Sequence, residues 1–527
     1  MRLPAHPVSS PRPAMATRPA GWPLRLAALL PALGFLAVVL APPLNPDVAA
    51  VLDFASRMRA GEVLYLDLID INPPLIFLLN WPAAWLASVT PLDPPQALVL
   101  TLLLLCALCW GLCHALRDRE AGPAERAVMA AMLPLLPLSA GQDFGQREQI
   151  MALLALPYLL LAERRILGRA TPAALVAAVT LLAGIGFALK PHFLAIPALV
   201  EAVVLLARLR RQGWARPLAD PVPWGMAALW LAYLALIHFA FPAYFENIVP
   251  LVRDWYLDLG GAPWWAVLLT APTGSAAVLA IGLAPLAARA PTGWLPRLAA
   301  AAALGALAAA LVQHKGWSYH LVPVWIFGGL AGAAMLARGL DGTLPQATLR
   351  RAAPLLAVGV AFGFALFTLR GGEAPWVSLR YAASPGGRLA DWLEREVPGQ
   401  RLLVLSPDIP TVFPAVTYAE SRWISPFMST WLLQAVYRDC PAGGARYREP
   451  AQMGAAEALV WRSLTERFLR LQPSAVVVAR DTGIADCQGQ RFDFIEYFRR
   501  NPLFARAWGQ YRLKGEIAGY MLYEREE

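Results

Sequence analysis

The stretch Asn45–Pro74, NPDVAAVLDFASRMRAGEVLYLDLIDINPP, follows the first long apolar run of the chain and leads into the next one. Its five acidic residues are Asp47, Asp53, Glu62, Asp67 and Asp70. Charged carboxylates are costly to place in hydrocarbon, so this segment is expected to lie in water at a membrane surface. The apolar sequence around it is interpreted as the scaffold that holds it there.

The composition excludes an ordinary soluble protein. Of the 527 residues 58% are hydrophobic and 15% are charged, whereas soluble domains average about 45–50% apolar and about 25% charged residues. Apolar runs long enough to cross ~30 Å of hydrocarbon recur up to Arg370. They predict eleven spans, at 24–43, 96–116, 125–141, 149–163, 171–189, 192–207, 222–241, 263–288, 298–312, 319–337 and 352–369.

A further apolar run, from Pro74 to Val89, is short and contains Trp81 and Trp85, which suit a membrane interface. If this run does not span, all the loop arginine clusters fall on one side, which the positive-inside rule makes cytoplasmic. The clusters are Arg117/Arg119/Arg126, Arg164/Arg165/Arg169, Arg208/Arg210/Arg211/Arg216, Arg289/Arg297 and Arg338/Arg350/Arg351. The run is therefore predicted to be an interfacial or re-entrant helix. The net charge of +9 is explained by these loops, and no nucleic-acid partner is expected.

The predicted fold class is a mainly α polytopic membrane protein with a small C-terminal α/β domain. The predicted domains are a cytoplasmic tail at 1–23, a transmembrane domain at 24–370 with an outer loop at 44–95, and an extracytoplasmic domain at 385–527. In the last of these, helices are predicted at Leu389–Val397 and Ala455–Leu471. Strands are predicted at Arg401–Ser406, Ser474–Arg480 and Gly519–Glu524. The expected location is a bacterial-type inner membrane.

The five cysteines fall into two groups. Cys106, Cys109 and Cys113 lie on one face of a predicted span, and they are interpreted as small buried residues because no second ligand pair of zinc-type spacing accompanies them. Cys440 and Cys487 could form a disulfide if their domain faces an oxidising compartment, or could remain free.

The order of motifs in the membrane part resembles the GT-C superfamily of glycosyltransferases. These motifs are Pro46-Asp47 after the first span, Ala55 to Gly61, Tyr65-x-Asp67, Pro73-Pro74, Asp143-Phe144, Gly184/Gly186 before Lys190-Pro191, and Lys315-Gly316-x-x-Tyr319. Among its families, the protein O-mannosyltransferases and the lipid A aminoarabinose transferase are the most similar. The sequence departs from their pattern at Val48 and Asn72, where many members carry an acid and a lysine.

The resemblance implies an inverting transfer of a sugar from a polyprenyl-phosphate donor to an extracytoplasmic acceptor, which could be a glycan, a lipid or a protein. It also implies that the first outer loop carries the catalytic aspartate, which is Asp47 here. A Pro-Asp at a helix start could equally be an N-terminal cap with a favourable dipole interaction. The membrane lipid is the other expected partner.

The other candidate residues bind substrate. They are Asp67, Asp70, Asp143, Lys190, His192, Arg253, Lys315, Tyr319 and His320, and His314 is a further candidate for the phosphate. Lysine binds phosphate as a point charge, and Lys190 and Lys315 could instead snorkel to the interface. Arg253 lies in an aromatic loop that could contact the sugar or form an interfacial belt. Asp143 with Arg147 and Glu148 could also be a salt-bridged helix start.

A divalent metal, Mg²⁺ or Mn²⁺, could assist the departing phosphate, because hard cations prefer oxygen ligands. Asp47 and Asp143 are its candidate ligands, and Asp67 and Asp70 could serve as ligands or be simply solvated.

The alternative function is a transporter or flippase of a lipid-linked saccharide, in which ionisable residues within the membrane couple ions. Glu201, inside the sixth run, is the residue that would favour it. A third hypothesis is a non-catalytic assembly protein, but this hypothesis does not explain why polar residues cluster on the outer side.

Overall fold

The structure is a computed structural model that describes residues 22–118, 120–213, 218–289, 291–371 and 380–526. The predicted tail is outside this range except for its last two residues, and so are Arg119 and Arg216 of the loop clusters.

The membrane part is built of helices joined mostly by short loops. They are α1 Trp22–Leu40, α2 Pro46–Arg59, α3 Leu75–Val89, α4 Pro94–Leu116, α5 Pro123–Leu138, α6 Arg147–Leu167, α7 Ala173–Ala188, α8 Ala195–Gln212, α9 Pro221–Ala240, α10 Trp264–Leu268, α11 Ala271–Arg289, α12 Leu295–Gln313, α13 Val322–Thr343 and α14 Gln346–Gly371. Between α9 and α10, two π-helical turns, Tyr244–Ile248 and Val252–Tyr256, flank the short turn Val249–Leu251.

Each of the eleven predicted spans is helical, which confirms the predicted fold class. In the described part of the chain, eight helices are long and apolar enough to cross a membrane. The other three are α5, α6 and α7. Of these, α5 and α7 have 16 residues each, and α6 has 21 residues with charged ends. α6 is buried along nearly its whole length, so protein and not lipid surrounds it.

One predicted span differs from the structure. The run 263–288 is not a single helix, because α10 ends at Leu268 and α11 begins at Ala271. Pro272 lies in the first turn of α11, where a missing N–H costs nothing and the fixed φ favours a new helix.

α3 has only 15 residues, about 22 Å at 1.5 Å per residue, which is short for a bilayer. It packs between α2 and α4, and its Trp81 and Trp85 side chains are about half exposed. These features agree with the predicted interfacial or re-entrant helix.

The C-terminal part is an α/β unit with a five-stranded sheet in the order β3-β1-β4-β6-β5. Its strands are β1 Arg401–Leu405, β2 Pro410–Thr411, β3 Arg422–Trp423, β4 Ala475–Ala479, β5 Tyr511–Ile517 and β6 Tyr520–Arg525, of which β2 lies outside the sheet. Its helices are α15 Pro385–Glu396, α16 Val412–Tyr418, α17 Trp431–Val436, α18 Ala455–Leu471, α19 Phe494–Arg499 and α20 Pro502–Trp508. β1 pairs in parallel with β3 and β4, whereas β6 is antiparallel to β4 and β5.

All five elements predicted in this unit form, within a few residues of the predicted bounds. The central strand β4 is buried at every position, as its continuous apolar run indicates. The unit also contains the disulfide Cys440–Cys487, whereas Cys106, Cys109 and Cys113 are free.

The C-terminal unit packs directly on the acidic segment. Arg57 donates to the Ser425 carbonyl oxygen at 2.8 Å, and the Ile69 N–H donates to the Pro426 carbonyl oxygen at 2.7 Å. Arg467 of α18 forms an ion pair of 2.8 Å with Glu62. The acidic segment and the C-terminal unit therefore lie on the same side of the helical bundle. An odd total number of spans requires this, because the first part follows the first span and the second part follows the last. That this side is extracytoplasmic stays a prediction.

A separate set of ion pairs lies at the ends of the helices that carry the arginine clusters. Glu201, the candidate coupling residue of a transporter, accepts hydrogen bonds from Arg165 at 2.7 and 2.8 Å and from the Tyr158 hydroxyl at 2.7 Å. Both partners belong to α6, so the Glu201 carboxylate joins α8 to α6. This structural role explains why a carboxylate lies in α8.

Candidate functional site

The start of α2 fixes the position of Asp47. Pro46 occupies the first helical position, and Asn45 is the N-terminal cap, whose side-chain oxygen accepts the Asp47 N–H at 3.0 Å. The capping role proposed as the alternative for Asp47 is thus filled by Asn45. The Asp47 carboxylate lies in the first turn, where the helix dipole stabilises a negative charge.

A buried amide joins this turn to the start of α6. Gln146, which is 2% exposed, donates from Nε2 to Asn45 Oδ1 at 2.8 Å and to Asp47 Oδ2 at 3.0 Å. Asn45 in turn donates to Asp143 Oδ1 at 3.2 Å. These bonds bring together residues about one hundred positions apart and orient the Asp47 carboxylate.

Glu148 and Lys190 form the second element of the site. The Lys190 ammonium donates to Glu148 Oε1 at 2.6 Å and to Gln313 Oε1 at 3.2 Å, and it is 8% exposed. His320 Nε2 lies 3.9 Å from the same Glu148 oxygen. The ends of α6, α7 and α12 and the turn before α13 therefore meet at one point on the side of the acidic segment.

Arg147 is the first residue of α6 and is 7% exposed. Its guanidinium forms no hydrogen bond and no ion pair with the residues that the structure describes. The charges of Glu148, Asp47 and Asp70 all act on it, and so does the Tyr319 hydroxyl. The salt-bridged helix start proposed from the sequence is therefore made by Glu148 with Lys190 and not by Arg147.

Asp70 approaches the same space from the loop between α2 and α3. It is 8% exposed, and its Oδ1 accepts from the backbone N–H of Asn72 at 2.8 Å and from the Asn72 side chain at 2.7 Å. Burial raises the pKa of the Asp70 carboxyl, against the hydrogen bonds from Asn72, which lower it. Asn72, which replaces the lysine of the GT-C pattern, is therefore bound to Asp70.

Burial and charge also shift the titration of Lys190. Burial lowers the pKa of the Lys190 ammonium to about 8, the nearby Arg147 charge acts in the same direction, and the Glu148 carboxylate opposes both. The Asp47 charge contributes to this balance as well. Asp47, Arg147 and Lys190 thus belong to one electrostatic group.

The segment between α9 and α10 covers this group. Burial raises the pKa of Tyr256 in its second π-helical turn, and the charges of Arg147 and Asp47 both act on that hydroxyl. The Tyr256 ring also packs edge-on against Trp431 of the C-terminal unit, with ring centroids 5.4 Å apart. The segment therefore lies between the polar group and the C-terminal unit.

Lys315 holds this covering segment in place. Its ammonium donates to the carbonyl oxygens of Tyr256 at 2.9 Å, of Leu257 at 3.0 Å and of Leu259, and it lies 4.7 Å from the centre of the Tyr256 ring. All three of its N–H donors can be satisfied by these carbonyls. Its position favours a role in loop structure over direct contact with a phosphate.

Three of the predicted site residues have other surroundings. Asp67 accepts the Val63 N–H at 2.9 Å and lies 3.7 Å from Arg467, so it supports the contact with the C-terminal unit. Arg253 is exposed and pairs with the adjacent Asp254 at 2.6 Å. His314 ends α12 in a left-handed conformation, and its carbonyl oxygen accepts the Ala262 N–H at 3.0 Å.

The remaining predicted residues border the site. Tyr319 is buried, and its ring lies 5.6 Å from the Lys190 ammonium. His192 follows Lys190, and its Nε2 is buried without a hydrogen-bond partner in the described part of the chain. Both ring nitrogens of His320 are likewise buried without a hydrogen bond there.

The proposed metal ligands do not form a complete set. Within the described ranges, no group of three or more His, Cys, Asp or Glu side chains could hold a metal ion. Asp47 and Asp143 are both joined to Asn45, one through Gln146 and the other directly. Each of these carboxylates thus accepts a hydrogen bond from an amide of the chain, and the chemistry derived below uses only the residues of the chain.

Sequence reasoning overlooked Gln146 and Tyr256 and assigned Arg147 only to a salt bridge. The sequence does contain a signal for Gln146 and Arg147, because the run Gly145–Gln149, GQREQ, places five small or polar residues ahead of the apolar part of α6. Tyr256 carried no such signal among the many aromatic residues of its loop.

Comparisons with known proteins give a distant likeness. No family model matches the chain, and no curated protein matches it. Among solved structures it is similar to the arabinofuranosyltransferase AftD from mycobacteria, with 17% sequence identity and a TM-score of 0.39. The likeness covers 96% of this chain but only 40% of that one. So weak a likeness carries no conclusion about activity, and the function proposed below rests on the geometry of the site.

Proposed function

We propose that the chain is a membrane glycosyltransferase of the GT-C type, which transfers one sugar from a polyprenyl-phosphate donor to an extracytoplasmic acceptor with inversion. The observation that carries the proposal is that Asp47, through Gln146, and the buried cation Lys190, through Glu148, are both hydrogen-bonded to the start of α6. A transfer from a lipid phosphate needs both a base for the acceptor and positive charge for the departing phosphate.

The reaction follows from this pair. The Asp47 carboxylate takes the proton of the acceptor hydroxyl or amine while the acceptor atom attacks the anomeric carbon. The bond from that carbon to the phosphate oxygen breaks on the opposite face, and the polyprenyl phosphate leaves with the electron pair. Lys190 stabilises the negative charge that develops on this oxygen, in a buried setting where electrostatic interactions are strong.

The surroundings of the pair serve access and binding. The Asp47 charge acts on the hydroxyls of Tyr256 and Tyr319, and we assign these hydroxyls and rings to binding of the sugar. The C-terminal unit touches the covering segment through Trp431. We assign this unit to the acceptor side, because the helical bundle occupies the side from which a lipid donor would enter.

The test uses Asp47→Asn, which keeps the size and the hydrogen bond from Gln146 but removes the base. Purified protein is incubated with a panel of polyprenyl-phosphate sugars, and consumption of each donor is measured. Loss of a general base is expected to slow the preferred donor about 10²- to 10⁴-fold. The matched control is Asp93→Asn, because Asp93 is the half-buried N-terminal cap of α4 and asparagine caps equally well.

Wild-type turnover in Asp47→Asn would remove Asp47 as the base, and consumption of no donor by the wild type would remove the proposed activity. A reporter that is active only outside the cytoplasm, fused at the C-terminus, should be active. Activity of a cytoplasmic reporter at the same position would place the site on the wrong side for an extracytoplasmic acceptor.

A further inference from the structure

We infer that Arg147 is the residue that binds the donor's phosphate directly, and that the site takes a singly charged lipid phosphodiester and not a diphosphate. This inference rests on the proposed function, since it names the part of the donor that the site recognises. It starts from a buried cation that forms no hydrogen bond with any described residue.

An unpaired guanidinium is the feature that requires explanation. Arg147 is 93% buried, since only 7% of its surface is exposed, and none of its N–H donors bonds to the described residues. A buried guanidinium whose N–H groups bind no acceptor is costly, whereas arginine in such a place is well suited to bind two anionic oxygens side by side. An anionic ligand would satisfy it.

The neighbouring carboxylates act on Arg147 through their charge, but none of them accepts a hydrogen bond from it. Asp47 accepts from Gln146, Asp70 accepts from Asn72, and Glu148 accepts from Lys190. Each acid within electrostatic reach of Arg147 is thus turned toward another donor, and the guanidinium stays open to an incoming ligand.

The start of α6 adds a second attraction for an anion. Its cap residue, Gln146, makes no side-chain hydrogen bond to the N–H groups of the first turn, because its side chain points to Asn45 and Asp47 instead. These N–H groups and the positive end of the helix dipole therefore remain available beside the guanidinium. A 21-residue helix presents this end as a rigid support.

The balance of charge sets the class of ligand. Lys190 is paired with Glu148, and Lys315 donates to backbone carbonyls, so among the described residues Arg147 is the cation of the group that has no bonded partner. A phosphodiester adds one negative charge to this group. A diphosphate would bring a second charge to a space that already contains Asp47 and Asp70.

The experiment measures binding apart from turnover. Farnesyl phosphate serves as the probe, and its dissociation constant is measured with the full chain in detergent by microscale thermophoresis. Arg147→Gln should weaken binding by about 10- to 100-fold, as expected for loss of charge-assisted hydrogen bonds. Arg147→Lys keeps the positive charge but loses the paired N–H donors of the guanidinium. Its dissociation constant should lie between those of the wild type and Arg147→Gln. Arg462→Gln, at an exposed arginine of α18, should bind like the wild type.

Competing ligands identify the group that is recognised. Farnesol should not compete, and inorganic phosphate and phosphatidylglycerol should compete only weakly. Methyl farnesyl phosphate, a phosphodiester with one negative charge, should bind at least as tightly as methyl farnesyl diphosphate, which carries a second charge. A diphosphate diester that binds more than tenfold more tightly than the phosphodiester would overturn the assignment of a single charge. Equal affinity for inorganic phosphate or phosphatidylglycerol would overturn the lipid-linked donor as its source.

Two variants separate this inference from the proposed function. Asp47→Asn should bind farnesyl phosphate at least as tightly as the wild type, because it removes a negative charge from the group, although it cannot transfer sugar. Wild-type affinity in correctly folded Arg147→Gln would overturn the inference while leaving the base assignment intact. If Arg147→Gln does not fold, wild-type affinity in Arg147→Lys together with tight binding of the diphosphate diester would overturn it instead.

Discussion

Replacing Lys190 with methionine separates its structural role from its role toward the phosphate. Glu148 is 1% exposed, its Oε1 accepts from Lys190 at 2.6 Å, and its Oε2 has no hydrogen-bond partner among the described residues. Lys190→Met therefore leaves a buried carboxylate without its cation, and breaking a buried pair in this way costs about 3–5 kcal/mol. Replacing both partners by neutral groups avoids that cost, so Lys190→Met/Glu148→Gln should recover most of the lost stability.

Activity is expected to respond differently. If the ammonium stabilises the departing phosphate, the double variant still lacks a charge-assisted hydrogen bond, and its turnover should stay about 10- to 100-fold below the wild type. Stability is measured by thermal unfolding in detergent with tryptophan fluorescence, and turnover with the preferred donor of the panel. A pH of about 7.5 lies above the usual pKa of histidine, so the His320 ring, 3.9 Å from Glu148 Oε1, does not replace the lost cation.

Lys514→Met is the matched control, because it makes the same change at an exposed position of β5 whose ion pair with Glu524 spans 3.4 Å. Surface pairs contribute at most about 1 kcal/mol, so this control should unfold and turn over like the wild type. A Lys190→Met variant as stable as the wild type would refute the reasoning about the buried pair. A double variant with full turnover would show that Lys190 only neutralises Glu148.

Three further outcomes are expected. Gln146→Leu removes the amide that orients Asp47, and it should lower kcat about 10- to 100-fold with little change in KM; an unchanged kcat would contradict the orienting role. Burial lowers the pKa of Lys190 to about 8. The affinity for methyl farnesyl phosphate, a phosphodiester whose own charge does not change near neutral pH, should therefore be constant below pH 8 and fall above it as the ammonium charge is lost. The Lys190→Met/Glu148→Gln variant should not show that fall, and the same pH dependence in it would assign the titration to another group. Arg467→Gln breaks the ion pair of the C-terminal unit with the acidic segment and should speed limited proteolysis of that unit, whereas Arg462→Gln, at an exposed position of the same helix, should not; equal rates in the two variants would count against this contact.

The sequence by itself determined the order and the kind of nearly every element. The membrane helices follow from run length and hydropathy, which act locally along the chain. The same holds for β4, whose apolar run Ala475–Ala479 is buried at every position. The position of Asp47 in the first turn of α2 was also predictable, because Asn45 and Pro46 mark a helix start.

Only the tertiary structure decided which charges pair and which do not. Gln146 reaches Asp47 across 99 positions, and Lys190 reaches Glu148 across 42. The sequence predicted Arg147 in a salt bridge, but in the structure it has no bonded partner among the described residues. The sequence predicted Lys315 as a phosphate ligand, but its ammonium donates to backbone carbonyl oxygens. The physical reason is that a carboxylate or an ammonium bonds to whichever group the packed helices bring within about 3 Å. Hydropathy along the chain fixes the helices, but it does not fix that distance.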